Sequence, residues 1–209
     1  MAGREGTAAA TATAVAEHDD APVRALPGLD EVPGMPDLDR VRCLRTLGPT
    51  GTNLEAAAHE WLLARHGGGR VLLHRHLDDA VAAVSRDGTE GIVACAVYPD
   101  LHALVFDNHR WMVMADCFLA PTFRMVLASR GDGTPPRRVA SHGAPVALVP
   151  AGAETVPALS NSAAAAACRR GDVDACITTA TAADANGLDV LEDHGPVPMV
   201  YTVHVPRRP

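Results

Sequence analysis

Two hydrophobic periods alternate along the chain from residue 39 onward, and most changes of period fall at glycine or proline. Residues 41–47 are a short apolar-rich run, and residues 54–65 contain neither Gly nor Pro, so a strand, a turn and a helix are predicted in that order. The turn is Gly48-Pro49-Thr50-Gly51-Thr52. Thr52 or Asn53 is the expected N-cap, because a side-chain oxygen there can accept from an unpaired N–H of the first turn; Glu55 stands at the capping-box spacing from Thr52. His66-Gly67-Gly68-Gly69 supplies a C-cap glycine. Residues 71–76 predict a second strand. Residues 77–86 predict an amphipathic helix, with apolar positions at 77, 81 and 84 and two aspartates in the first turn. Residues 91–97 then predict a buried strand, and this βαβαβ rhythm implies a parallel sheet with helices on its faces.

The second half repeats the theme. Strands are predicted at 111–114 and 123–129, followed by a turn at 131–136. A short strand from 139 is expected to run into a helix N-terminus at Ser141-His142-Gly143-Ala144. Ser160-Asn161-Ser162 should cap an alanine-rich helix at 163–169. A strand at 175–179 ends in Thr178-Thr179, a short helix at 182–186 stops at Gly187, and the last strands are 188–191 and 199–205.

Composition narrows the partners. Aromatics are only 3% of the 209 residues, so Ala, Val and Leu must fill the core. A formal charge of −7 argues against nucleic acid, which needs a basic face, but leaves a small anion open because such a ligand feels the local pocket. The five cysteines are odd in number and lack a CxxC, which reads as reduced thiols of a cytoplasmic protein. No apolar run approaches the ~18 residues of a membrane span. Residues 1–38, rich in Ala and Thr and then punctuated by Pro22, Pro27, Pro33 and Pro36, read as a disordered tail rather than a signal peptide.

Gly48-Pro49-Thr50-Gly51-Thr52, with Glu55-Ala56-Ala57 behind it, resembles the opening Gly-Pro-x-Gly-Thr motif of prephenate dehydratase catalytic domains. Further landmarks fall in family order: the acidic helix at 77–86 before the strand at 92–97, Ser141-His142, Ser160-Asn161-Ser162-Ala163-Ala164-Ala165, and Asn186-Gly187-Leu188-Asp189-Val190-Leu191. The resemblance covers residues 41 to about 205. It implies an α/β fold of two lobes around a cleft, of the periplasmic-binding-protein type. Lobe 1 is expected at about 40–97 plus 187–205 and lobe 2 at about 98–186, with no ACT domain and, on family analogy, a homodimer.

The departures matter more. Where the dehydratases carry a Thr-Arg-Phe segment that helps expel the ring hydroxyl and hold the substrate, this chain reads Pro198-Met199-Val200. A proline has no hydroxyl and a thioether cannot replace a guanidinium. The family's glutamate-asparagine-serine segment is also replaced, by Ala94-Cys95-Ala96-Val97. The bacilysin-type prephenate decarboxylases are similar in keeping the first motif, lacking Thr-Arg-Phe and carrying Pro-Met before the last strand. They also have a histidine seven residues after the position of Cys95, here His102. The resemblance therefore implies loss of the ring carboxylate as CO2 with the 4-hydroxyl kept, to give a dihydro-4-hydroxyphenylpyruvate in specialised, antibiotic-like metabolism. No cofactor or metal is implied.

Such a substrate carries two carboxylates and calls for two anion sites. A strand that passes through a glycine turn into a helix N-terminus aims N–H groups and a positive dipole end at one point. Thr50, Gly51, Thr52 and Asn53 form one such place; Ser141, His142, Gly143 and Ala144 are expected to form the other. The turn is neither GxGxxG nor a P-loop, so nucleotide binding does not follow. His102 or His142 is the expected proton donor, since imidazole titrates near working pH. Thr178 and Thr179 end a strand where their hydroxyls can face the ligand, Met199 replaces the family arginine, and Arg110 and Arg124 are candidate clamps. His74-x-His76 shares a strand face but lacks a third metal ligand. Two other functions fit the same residues: a lyase or isomerase for another anionic metabolite, and a non-catalytic small-anion binding module.

Overall fold

The computed structural model describes residue 28 and residues 31–133 and 135–208. In chain order the elements are β1 (Cys43–Leu47), α1 (Asn53–His66), β2 (Arg70–His74), α2 (Leu77–Ala83), β3 (Glu90–Cys95), α3 (Leu101–Phe106), β4 (Met112–Pro121), β5 (Met125–Ser129), β6 (Arg138–Ser141), β7 (Glu154–Pro157), α4 (Asn161–Arg170), β8 (Ala175–Thr179), α5 (Ala180–Ala185), β9 (Asp189–Gly195) and β10 (Pro198–Pro206). They make two five-stranded mixed sheets, in the orders β2-β1-β3-β10-β4 and β7-β6-β8-β5-β9. None of the helices among the described residues is long and apolar enough to cross a membrane.

In the first lobe β1 runs parallel to β2 and β3, and β10 returns antiparallel between β3 and β4. Alternation along β3 divides the core. Val93 faces α1, packing with Leu44, Ala58, Trp61 and Val203, whereas Ile92 and Ala94 face α2 and α3 through Leu77, Ala80 and Leu104. The second lobe works the same way with smaller side chains. Val126, Ala128 and Cys176 pack against Ala164, Ala165 and Cys168 of α4, while Leu127, Val139 and Ile177 lie beneath the segment carrying Leu148, Val149 and Ala153. Alanine allows α4 to sit close to its sheet, which is how a chain with so few aromatics closes a core.

The chain crosses between lobes twice, at Thr122–Arg124 and again at 196–197. Thr122 N donates to Val197 O at 2.9 Å and Val197 N donates to Thr122 Oγ1 at 3.0 Å, so the two crossings are bonded to each other. These positions move the expected lobe limits. β4 and α3 belong to the first lobe, because β4 pairs with β10 along its whole length, and β9 belongs to the second as the partner of β5. Lobe 1 is thus built from β1 to β4 and β10, and lobe 2 from β5 to β9.

Several elements differ from their sequence patterns for visible reasons. β4 is far longer than residues 111–114, because a bulge opposite Val203 and His204 absorbs the break in its alternation at Ala115 and Asp116. The helix expected to open at Ser141-His142-Gly143-Ala144 is replaced by a loop and a 3₁₀ turn, Val146–Leu148, led in by Pro145. α3 and β7 had no clear periodic signal. The tail expected over residues 1–38 lies outside the described residues for 1–27 and 29–30. Its last part is held: Arg208 N donates to Gly34 O at 2.9 Å, Arg207 reaches Pro33 O, and Leu38 packs on the core.

Candidate functional site

A cleft of about 530 Å³ opens between the lobes, lined from both sides. On the first lobe the β1–α1 turn reaches it, and the turn has the expected capping chemistry with one change. Thr52 is the N-cap, its Oγ1 accepting from Glu55 N at 3.3 Å, and Gly67 with φ 71° closes α1. Glu55 in return accepts from Gly51 N at 2.6 Å instead of from Thr52 N. The Gly51 N–H is therefore occupied, and the N–H groups of Thr52, Asn53 and Leu54 are the ones without an acceptor among the described residues. Asn53 Oδ1 accepts from Phe123 N at 2.8 Å, so the start of α1 is tied to the first crossing. Thr52, Asn53 and Gly51 line the cleft; Thr50 is exposed and outside it.

The facing wall comes from the second lobe, and its helix N-terminus is that of α4. Ser160 caps α4 by accepting from Ala163 N at 3.0 Å, and Ser160, Asn161 and Ser162 line the cleft. Asn161 Oδ1 is buried with no hydrogen-bond partner among the described residues. Ser141–Ala144 thus does not form the helix start expected there. Ser141 is buried and donates its hydroxyl to His142 O at 2.8 Å, and Gly143 is exposed away from the cleft. Only His142 and Ala144 of that stretch line it. The sequence held a signal for this helix start, since Ser160-Asn161-Ser162 is a cap by the same chemistry as Thr52.

His142 is half-buried, and burial holds its pKa below the ordinary histidine value. Its Nδ1 accepts from Ala144 N at 3.3 Å, which fixes the neutral tautomer with the proton on Nε2. His102 sits exposed on α3 and lines no part of the cleft, whereas His142 does line it. Thr178 is fully buried and donates to Asn161 O at 2.8 Å; Thr179 lines the cleft but its Oγ1 accepts from Ala182 N to cap α5. Met199 lines the cleft, half-buried, so the wall carries a thioether there. Arg124 is exposed and paired with Asp193, Arg110 is exposed, and neither lines the cleft.

Four lining residues were not legible as site residues. Tyr201 is 1% exposed and stacks on Phe118 with ring centroids 5.5 Å apart; burial pushes its phenol up to about 12, which keeps it a donor at neutral pH. Tyr98 lines the cleft with its phenol also pushed up by burial. Arg75 and His76 enter from the loop after β2. The rest of the wall is mostly apolar, with Leu47, Leu54, Val97, Met125, Leu148 and Val197 among its residues. No aspartate or glutamate is among the described lining residues. Burial raises the Cys95 thiol, so that lining sulfur is a protonated, inert one at neutral pH.

Two α/β lobes, joined by a double crossing and enclosing a ligand-sized cleft, place the chain in the class of two-lobed proteins with the periplasmic-binding-protein architecture. No family model matches the sequence, and no curated protein matches it. Solved structures do. One is a prephenate dehydratase from Arthrobacter aurescens in complex with L-Phe, at 20% identity and a TM-score of 0.59 over 80% of this chain and 60% of that one. Another is GqqA, described as a novel type of quorum quenching acylase, at 23% identity and 0.56 over 80% of this chain and 65% of that one. A third is the periplasmic VFT2 domain of BvgS from Bordetella pertussis, at 15% identity and 0.50, covering 80% and 81%. These likenesses establish the fold. The chain spans less than two thirds of the dehydratase and of GqqA.

Proposed function

We propose that this protein is a lyase for a small, ring-bearing anionic acid, and specifically a prephenate decarboxylase that leaves its product non-aromatic. The observation that carries the reading is the composition of the cleft: donors and one arginine on a largely apolar wall, no carboxylate, and Met199 where the dehydratase motif has its arginine. The bond from the ring to its carboxylate breaks, CO2 leaves, and the electron pair enters the ring diene. A proton adds at a distant ring carbon, and the 4-hydroxyl is retained. The wall hydroxyls of Thr122 and Thr179 are engaged within the protein, by Val197 N and Phe123 O in one case and by Ala182 N in the other. An apolar wall favours loss of charge from a carboxylate, since the departing group becomes neutral. His142 Nε2–H and the Tyr201 phenol are the proton-bearing groups on opposite lobes. The odd number of cysteines without a CxxC is the reason a cytoplasmic setting is proposed for the pathway.

The test is incubation of the purified protein with prephenate, following ultraviolet absorbance and product mass together. A product that has lost CO2, retained its hydroxyl and lacks an aromatic spectrum is expected; phenylpyruvate as sole product overturns the reading. Turnover of other ring-bearing acids with none of prephenate selects a related lyase or isomerase. A binding module is the second reading, favoured by the likeness to the BvgS periplasmic domain. It predicts saturable binding of prephenate with no change in its mass.

A further inference from the structure

Arg75 is the one arginine that lines the cleft, and its guanidinium makes no hydrogen bond or ion pair with any described residue. Its place is fixed by the sheet. β2 pairs with β1 so that His74 stands opposite Leu47, and Gly48 N donates to His74 O at 2.9 Å. The residue after His74 is therefore held beside the Gly48–Thr52 turn, on the same lobe as the unpaired N–H groups of Thr52, Asn53 and Leu54. His76, next in the chain, donates its N–H to Asp79 at 3.2 Å as α2 begins, which anchors the backbone on the other side of Arg75. An arginine that faces an acid-free cleft and lacks a partner is a planar, permanently charged fork with its carboxylate missing.

A decarboxylase must treat its two carboxylates differently. One loses its charge as it departs, and a guanidinium gripping that group would stabilise the ground state more than the transition state. The other keeps its charge throughout and gains from a permanent clamp. Resting on the proposed function, we infer that Arg75 holds the retained carboxylate, on the 2-oxo acid side chain. The ring carboxylate then lies toward the apolar wall formed by residues such as Leu148 and Met199. Arg75 is thus the residue that sets the substrate class, a 2-oxo acid on a ring, and the direction in which it lies.

Arg75→Gln and Arg75→Lys test this, with folding controlled by the unfolding midpoint, which the exposed and unpaired Arg75 should not influence. Arg75→Gln is expected to raise KM for prephenate about 10- to 100-fold with kcat near that of the parent, as for a contact present equally in ground and transition states. Phenylpyruvate, which has the 2-oxo acid but no ring carboxylate, should lose binding by a similar factor. Benzoate, which has only a ring carboxylate, should be indifferent to the change, and Arg75→Lys should recover part of the loss. Unchanged phenylpyruvate binding in Arg75→Gln, or a fall in kcat at constant KM, overturns the inference and leaves the functional reading standing. Failure of the parent protein to bind or turn over prephenate overturns the functional reading, and this inference with it.

Discussion

His204 lies wholly inside the first lobe, 1% exposed on β10, with Nε2 2.9 Å from Thr202 Oγ1. Burial depresses its pKa to about 4 from 6.5. As the pH falls from neutral, the unfolded chain therefore takes up a proton before the folded chain does, so this histidine costs stability between about pH 6.5 and pH 4 and nothing further below. The cost approaches about 3 kcal/mol at the acid end. Chemical denaturation of the parent and of His204→Gln at several pH values should give curves that converge across that window; parallel curves would exclude a neutral His204. His142 offers a second test. Protonation removes the acceptor that Ala144 N uses, so the loop holding it should be ordered only while the ring is neutral. Histidine Nδ1 and Nε2 resonances followed by NMR should titrate below the ordinary range, and a normal midpoint would place the ring in solvent.

At the scale of elements, the first turn of α1 connects the lobes. Asn53→Ala removes the acceptor of Phe123 N while leaving the Thr52 cap intact, and is expected to cost about 1 kcal/mol in equilibrium unfolding with an unchanged denaturant slope. No loss would mean that water replaces the contact. β1, the glycine turn and α1 were legible because capping chemistry is local: Thr52, Glu55 and Gly67 do in the structure what their spacing predicts. β4 was not, since its alternation is broken at Ala115 and Asp116 and only the pairing with β10 reveals it. Asp116 is polar in mid-strand because it accepts from Trp61 Nε1 at 2.9 Å and from Arg65 at 3.2 Å, a partnership set by tertiary packing. The Ser141–Ala144 stretch misled in the opposite way, offering polar residues before an apolar run with Gly143 and Pro145 inside it. Arg75 escaped notice because being unpaired in a cleft is a property of the assembled lobes.

For the whole molecule, the double crossing gives the lobes a shared edge: Thr122 is 9% exposed and bonded to Val197 from both directions. Thr122→Val keeps the volume and removes the acceptor of Val197 N. It is expected to lower ligand affinity more than it lowers stability, because the crossing positions both walls at once; equal effects on the two would make Thr122 simply a core residue. The acid-free cleft has a kinetic corollary. The chain carries a formal charge of −7, so the proposed dianionic substrate would be repelled until it is within reach of Arg75 and the two helix starts. Repulsion of that range is screened when the Debye length shrinks to about 10 Å near 0.1 M salt, whereas contact inside the cleft is screened less. Association should therefore accelerate as ionic strength rises from a few millimolar, the reverse of the usual behaviour of an anion meeting an arginine. Stopped-flow rates at graded salt would show it, and monotonic slowing would mean that local attraction governs the approach from the outset.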